Sequence, residues 1–123
     1  MLTHAVDQGV LVISLHSPID IGNRAATALE IGRLLHAHRA DYVVLELAGC
    51  PASAAAISVV HRAHRLCAAV GASLAVVTPT DESRRLLGAG GGRSAPRLYA
   101  STTQAILAKP HPGPGLVPDA ARP

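Results

Sequence analysis

Residues 42–47 have the sequence Tyr-Val-Val-Leu-Glu-Leu, an apolar and β-branched run that is typical of a strand buried on both faces. The segment Gly49-Cys50-Pro51 ends this strand, and apolar residues then recur at helical spacing over residues 54–70. Gly71 favours the end of that helix, and residues 74–77, Leu-Ala-Val-Val, form a second buried run. A strand, a helix and a strand in this order predict an α/β fold with helical crossovers over the sheet.

The same patterns extend from this unit in both directions. Residues 10–15 predict a buried strand that pairs with residues 3–6 across the turn Asp7-Gln8-Gly9. Helical spacing begins after Asn23, a favourable N-cap residue, and ends near Arg39. Three shorter elements follow the central unit: a helix from Thr80 or Asp81 to Leu87, an edge strand at residues 97–99, and a helix capped by Ser101. The predicted order is β-β-α-β-α-β-α-(β)-α, a mixed sheet of four to five strands packed with about four α-helices.

The spacing of apolar residues also assigns the inward faces of the helices. In the helix after Asn23 the predicted inward residues are Ala25, Ala28, Leu29, Gly32, Leu35 and His36. In the helix over residues 54–70 they are Ala56, Val59, Val60, Ala63, Cys67 and Val70, with His61, Arg62, His64 and Arg65 largely on the outer side. In the last helix they are Ala105, Ile106 and Ala108.

Length and composition indicate one compact unit. A chain of 123 residues that is 49% apolar predicts a single domain over residues 1–108, and residues 109–123 form a Pro-rich tail that we expect to be disordered. We expect no signal peptide, because the first residues lack a cationic region, and no apolar run is long enough to span a membrane. Cys50 and Cys67 are too few for a disulfide framework, so we expect two small buried side chains and a cytoplasmic location.

The positive charge does not indicate nucleic-acid binding. The formal net charge is +3, but the ten Arg and one Lys are scattered, and only Arg84 and Arg85 are adjacent. No aromatic residue lies between basic residues, where it would stack on a base. The charge pattern therefore predicts a solvated surface.

Residues with catalytic or metal-binding chemistry form no recognisable constellation. His61 and His64 are three residues apart on one helix, but nothing supplies further ligands at a defined spacing, and His36 and His38 diverge on a helix. The loop at residues 88–92 is rich in glycine but lacks the Lys and Ser or Thr of a phosphate-binding loop. We predict a protein without enzymatic activity, metal or cofactor; the alternative is an enzyme with a metal site at His61 or His64.

Two junctions remain where a strand leads into a helix through small or polar residues. They are residues 17–23, Ser-Pro-Ile-Asp-Ile-Gly-Asn, and residues 49–57, Gly-Cys-Pro-Ala-Ser-Ala-Ala-Ala-Ile. Open α/β sheets tend to place binding groups at such junctions. Ordinary loop and helix-cap chemistry explains the same residues, so the pattern alone leaves both interpretations open.

At these junctions the sequence resembles the STAS domain, the SpoIIAA-type fold of bacterial anti-sigma factor antagonists. The resemblance covers residues 5–108 and agrees with the predicted order of elements. Four segments carry it: residues 9–15 with Ile19-Asp20-Ile21 resemble the family's opening strand and its Leu-Asp-Leu signature, residues 42–47 its central strand, residues 57–77 the following helix and strand, and Arg84-Arg85-Leu86-Leu87 its short third helix.

In this family the central loop has the sequence Asp-Ser-Ser-Gly-Leu, and a partner kinase that is also the anti-sigma factor phosphorylates the first Ser. Counted back from the helix that Ser falls on Ala54, and counted forward from the strand it falls on Ala55. Both registers place Ala at the phosphoacceptor, so we predict that the switch is absent. Ser53 is expected to cap the helix and Ser58 to be a small helix residue.

The resemblance implies a cytoplasmic protein-interaction module that binds an anti-sigma factor or serine-kinase-like partner and regulates transcription. The alternative is a STAS subunit of a membrane transport assembly, of the lipid-transport ATPase or anion transporter type. The oligomeric state stays open. The predicted partner-binding residues are Asp20, Gly22, Asn23, Ser53, Ala54, Ala55, Ala56 and Ile57. If Ala54, Ala55 and Ile57 are exposed they form the centre of an interface with Asp20 and Asn23 at its rim; the alternative is that these alanines pack inside.

Overall fold

The computed structural model describes residues 2–49, 51–88 and 96–109. The described elements are β1 (Leu2–Asp7), β2 (Val10–Leu15), α1 (Arg24–His38), β3 (Tyr42–Glu46), α2 (Ala54–Ala69), β4 (Ser73–Val77), α3 (Asp81–Gly88), β5 (Arg97–Tyr99) and α4 (Thr102–Leu107). This order confirms the predicted one, including the edge strand.

Within the described residues the strands form one five-stranded mixed sheet in the order β1-β2-β3-β4-β5. β1 is antiparallel to β2, and the other neighbouring pairs are parallel. The predicted hairpin turn is confirmed: Gln8 and Gly9 have φ angles of 55° and 79°, and two left-handed residues are what a turn matched to the strand twist requires.

Two apolar layers cover the two faces of the sheet. The larger layer lies under α1 and α2 and includes Leu11, Ile13, Val43, Leu45 and Val76 from the strands, Ile31 and Leu35 from α1, and Val59, Val60 and Cys67 from α2. The smaller layer lies under α4 and consists of Val10, Tyr42, Val44, Ala75, Val77 and Ala105. Both long helices therefore pack on one face, and the two junctions singled out from the sequence lead into these two helices.

The inward face predicted for α1 is partly wrong. The buried residues are Ala28, Ile31, Leu34 and Leu35, whereas Ala25, Leu29 and His36 are exposed. The apolar and small residues of α1 lie on more than half of its circumference, so their spacing does not select one inward face.

The face predicted for α2 is confirmed except at Val70, which is 63% exposed because it lies at the C-cap, beyond the last full turn. In α4, Ala105 is buried and Ile106 half-buried, but Ala108 is exposed where the helix ends.

Cys67 is buried, as predicted, and burial raises the pKa of its thiol to about 11. The thiol therefore stays protonated and unreactive near neutral pH. Cys50, the glycine-rich loop beyond Gly88 and the Pro-rich tail beyond Lys109 lie outside the described residues. None of the described helices has the length and apolar character needed to span a membrane.

Candidate functional site

The two junctions meet at one edge of the sheet, because β2 and β3 are parallel neighbours and their carboxyl ends lie side by side. We call residues 16–23 the first loop and residues 47–53 the second loop. Two hydrogen bonds hold the second loop in place: the Gly49 N–H donates to the carbonyl of Leu15, the last residue of β2, at 3.1 Å, and the Ser53 hydroxyl donates to the Ile19 carbonyl of the first loop at 3.1 Å. The paired loops therefore form one surface.

The first loop is shaped by a reciprocal pair of hydrogen bonds between Asp20 and Asn23. The Asp20 N–H donates to the Asn23 side-chain oxygen at 2.8 Å, and the Asn23 N–H donates to the Asp20 carboxylate at 3.0 Å. The Asn23 side-chain amide also donates to the Pro18 carbonyl at 3.1 Å. Asn23 occupies the N-cap position of α1 as predicted, but its side chain holds the loop and makes no cap bond to the helix. Gly22 lies exposed between the two partners.

The Ser53 hydroxyl uses both its hydrogen-bonding capacities. It donates to the Ile19 carbonyl, and it accepts the N–H of Ala56 at 3.1 Å as the N-cap of α2. The predicted cap is confirmed. The same hydroxyl also connects the loops, which the sequence did not indicate.

Burial separates the residues at the start of α2 and resolves the choice between exposed and inward alanines. Ala54 is exposed and Ile57 is half-buried, whereas Ala55 is 8% and Ala56 0% exposed. Ala54 and the edge of Ile57 are therefore accessible at the surface, while Ala55 and Ala56 pack inside and support the helix. Of the two registers for the phosphoacceptor, the one at Ala54 lies on the surface.

Two residues that sequence reasoning did not assign to the site contribute to it. Ile21 is 81% exposed at the tip of the first loop, although Ile19, two residues earlier, is buried. In an extended segment side chains alternate between two sides, so Ile19 and Ile21 would lie on the same side. Here the chain turns between Asp20 and Asn23, and the side chain of Ile21 points outward. Gly49 is the second: a Cβ atom there would lie 2.4 Å from the His16 carbonyl oxygen, so only glycine permits this approach.

The surface formed by the two loops carries little charge, and its described residues form no metal site. Asp20 is the single acidic residue in the two loops. In the described part of the chain no three His, Cys, Asp or Glu side chains converge as metal ligands.

His61 and His64 are both half-buried, and the Nδ1 atom of His64 is buried without a hydrogen-bond partner among the described residues. His64 therefore does not lie fully on the outer side of α2, where the sequence placed it.

Replacing Ser53 with alanine is expected to lower the free energy of unfolding by about 1–2 kcal/mol, because the cap bond and the bond to Ile19 are both lost. Chemical denaturation followed by circular dichroism measures this change. Ser101→Ala is the matched control: Ser101 caps α4 but has no second partner among the hydrogen bonds described for it, and its loss should cost less. Equal effects of the two substitutions would contradict the connecting role of Ser53.

The fold is shared with known proteins. The family model described as the STAS domain matches residues 2–105. No curated protein sequence matches the chain.

Solved structures of low sequence identity share the fold. An anti-sigma factor antagonist from Mycobacterium paratuberculosis is 19% identical with a TM-score of 0.74, and the match covers 88% of this chain and 92% of that one. The anti-sigma factor antagonist SpoIIAA in its unphosphorylated form is 13% identical with a TM-score of 0.63, covering 87% and 94%. The Bacillus cell fate determinant SpoIIAA in its phosphorylated form is 14% identical with a TM-score of 0.62, covering 86% and 96%. The family match extends over every described strand and helix α1 to α3, and on that ground the chain belongs to the STAS domain family.

Proposed function

We propose that this protein is a cytoplasmic, non-enzymatic interaction module that binds an anti-sigma factor with a serine-kinase-like fold and thereby regulates transcription. The observation that carries the proposal is the exposed Ile21 on the first loop, which the Ser53 hydroxyl ties to the start of α2, where Ala54 is also exposed. An exposed apolar side chain on a rigid loop costs little ordering when a partner covers it. The similarity in fold to anti-sigma factor antagonists supports this class of partner.

The proposed interaction is independent of phosphorylation. Phosphorylation would add about −1.5 to −2 charges where a helix begins, but the exposed first residue of α2 is Ala54, which has no hydroxyl. The neighbouring Ser53 hydroxyl already donates one hydrogen bond and accepts another. Modifying it would break the connection between the loops. The module therefore binds its partner constitutively.

The proposal is tested with purified anti-sigma factors of the kinase type from the host organism. Biolayer interferometry is expected to show that at least one of them binds the wild-type protein. Ile21→Asp is expected to weaken that binding about 30-fold or more, because truncating a central apolar anchor costs about 2 kcal/mol or more. Arg85→Glu is the control, since Arg85 is exposed on α3 and belongs to neither loop.

Phosphorylation is tested in the same reactions by adding ATP and magnesium and then recording intact mass. The wild-type mass is expected to stay unchanged, whereas Ala54→Ser restores a surface hydroxyl and is expected to gain one phosphate. Phosphate on Ser53 or Ser58 of the wild-type protein would overturn the constitutive interaction. Absence of binding to every kinase-type anti-sigma factor, or equal binding by Ile21→Asp, would overturn the proposed function.

A further inference from the structure

A continuous groove runs between α1 and α2 on the outer surface of the helical layer. Its upper part, of about 400 Å³, is lined by Arg24, Ala25 and Ser58, and its lower part, of about 540 Å³, by Gly32, Arg33 and Leu66. Ala28, Leu29 and Arg62 line both parts. Arg24 directly follows the first loop and Ser58 directly follows Ile57, so the groove begins where the candidate site ends.

The floor of the groove has the shape and chemistry that accept a helix. Leu29 lies in the centre of the groove and is 69% exposed, although the other large apolar residues of α1 are buried. The neighbouring residues are small: Ala25, Ala28, Gly32 and Ser58 allow close approach of another backbone. Leu66, which is half-buried, adds a further apolar side chain to the lower part. A narrow apolar stripe of this kind matches the apolar face of an amphipathic helix.

The rim of the groove is positively charged. Arg24, Arg33 and Arg62 are all exposed along it. Among the described lining residues the acidic one is Glu30, which pairs with Arg33. Two of the three guanidinium groups thus have no carboxylate partner among the described ion pairs. A ligand with acidic residues beside its apolar stripe would complement this rim.

The charge argues against two other occupants. A second copy of this chain related by a two-fold axis would bring two positively charged rims together, which is unfavourable. Residues 110–123 contain a single acidic residue, Asp119, and five prolines, so their sequence does not match the chemistry of the rim.

We propose that the groove between α1 and α2 binds an acidic amphipathic helix of a partner protein, with Leu29 as the apolar anchor and Arg24 and Arg62 as the charge partners. The inference rests on the proposed function only for the identity of the protein that carries this helix. The surface extends the contact from the two loops along the length of the helical layer.

Two designed peptides test the groove without the natural partner. Both are about five turns long with leucines at i, i+3, i+4 and i+7, and they carry either glutamates or lysines beside that stripe. Fluorescence anisotropy with the full chain is expected to show that the glutamate peptide binds at least about tenfold more tightly than the lysine peptide. Leu29→Asp and Arg62→Glu should each weaken that binding about tenfold, whereas Arg85→Glu should leave it unchanged. Ile21→Asp should also leave it unchanged, although the same substitution is expected to weaken binding of the anti-sigma factor.

Several results would overturn the proposal. Equal binding of both peptides, or equal weakening by Arg85→Glu and Arg62→Glu, would remove the specificity of the groove. A dimer in light scattering that Leu29→Asp dissociates would assign the groove to a second copy. Tighter peptide binding after Leu116→Ser and Val117→Ser would assign it to this chain's own tail. Binding of a labelled single-stranded oligonucleotide that depends on Arg62 and not on Leu29 would assign it to nucleic acid.

The same experiments separate the two proposals. If no anti-sigma factor binds but the glutamate peptide does, the proposal for the groove is supported and the proposed function is wrong.

Discussion

Replacing Gly49 with alanine is expected to lower the thermal midpoint of unfolding by about 10 °C or more. The added Cβ atom would lie 2.4 Å from the His16 carbonyl oxygen and 3.0 Å from its carbonyl carbon. Both contacts are with backbone, so no side-chain rotation relieves them, and the two loops must separate. Their separation breaks the hydrogen bond from the Gly49 N–H to the Leu15 carbonyl and strains the one from Ser53 to Ile19.

Gly32→Ala is the matched control, since the substitution is the same but its surroundings are open. A Cβ atom at Gly32 would meet the Leu66 side chain at 3.7 Å, an ordinary contact. Because Gly32 lies in the middle of α1, the change is expected to raise stability by about 0.5–1 kcal/mol. Differential scanning calorimetry measures both midpoints. A midpoint for Gly49→Ala within a few degrees of wild type would show that the loops have room to separate.

Ala56→Glu is expected to abolish cooperative folding. The helix-capping pattern alone would predict a gain in stability. A glutamate three residues after the N-cap Ser53 completes a capping box and lies near the positive end of the helix dipole. Those effects contribute about 1 kcal/mol, whereas burying an unpaired carboxylate costs several kcal/mol. Ala56 is 0% exposed within the larger apolar layer, so the burial cost dominates.

The same substitution two residues earlier is the control. Ala54 is exposed in the first turn of α2, and Ala54→Glu places the new charge in water beside the helix end. Its expected effect is a gain of about 0.3–1 kcal/mol in stability, together with weaker binding of the partner. Urea denaturation of the two variants compares them. A folded, cooperative Ala56→Glu would mean that the start of α2 is able to turn outward.

The order of elements was predictable because each boundary carries its own local signal. The turn at Gln8 and Gly9 requires left-handed residues, and Ser53 and Ser101 supply hydroxyls where helices begin. The central strand is apolar at every position but Glu46, so its place inside the sheet follows from composition.

The rotation of α1 and the exposure of Ile21 were not predictable, and the reasons are physical. Apolar and small residues lie on most sides of α1, and tertiary packing against α2 decides that Ile31 and Leu34 turn inward while Leu29 turns outward. In the first loop the bonds between Asp20 and Asn23 reverse the chain, and alternation no longer holds after them. The close approach of Gly49 to His16 joins residues more than thirty positions apart, which no local pattern reports.

The candidate site was predicted as two separate stretches of sequence, and the structure joins them. Of the eight residues assigned to it, Ala55 and Ala56 are inside, while Asp20, Gly22, Ala54 and the edge of Ile57 are accessible. Asn23 and Ser53 act mainly by holding the loops in shape. Sequence pattern predicted the two stretches of the candidate site, and three-dimensional packing divides their residues into exposed ones and ones that hold the loops and the helix in place.

The bonds that tie the two loops have a consequence for the rate of recognition. Ordering a free loop at the moment of encounter would cost about 1–2 kcal/mol per residue in backbone entropy, and the bonds that hold these loops reduce that cost for the proposed interaction. Association should therefore be a single kinetic phase at about 10⁵–10⁷ M⁻¹s⁻¹, as for rigid partners that dock without rearrangement. A variant with untied loops is expected to associate more slowly with the proposed partner, even where the contacts of the complex are kept.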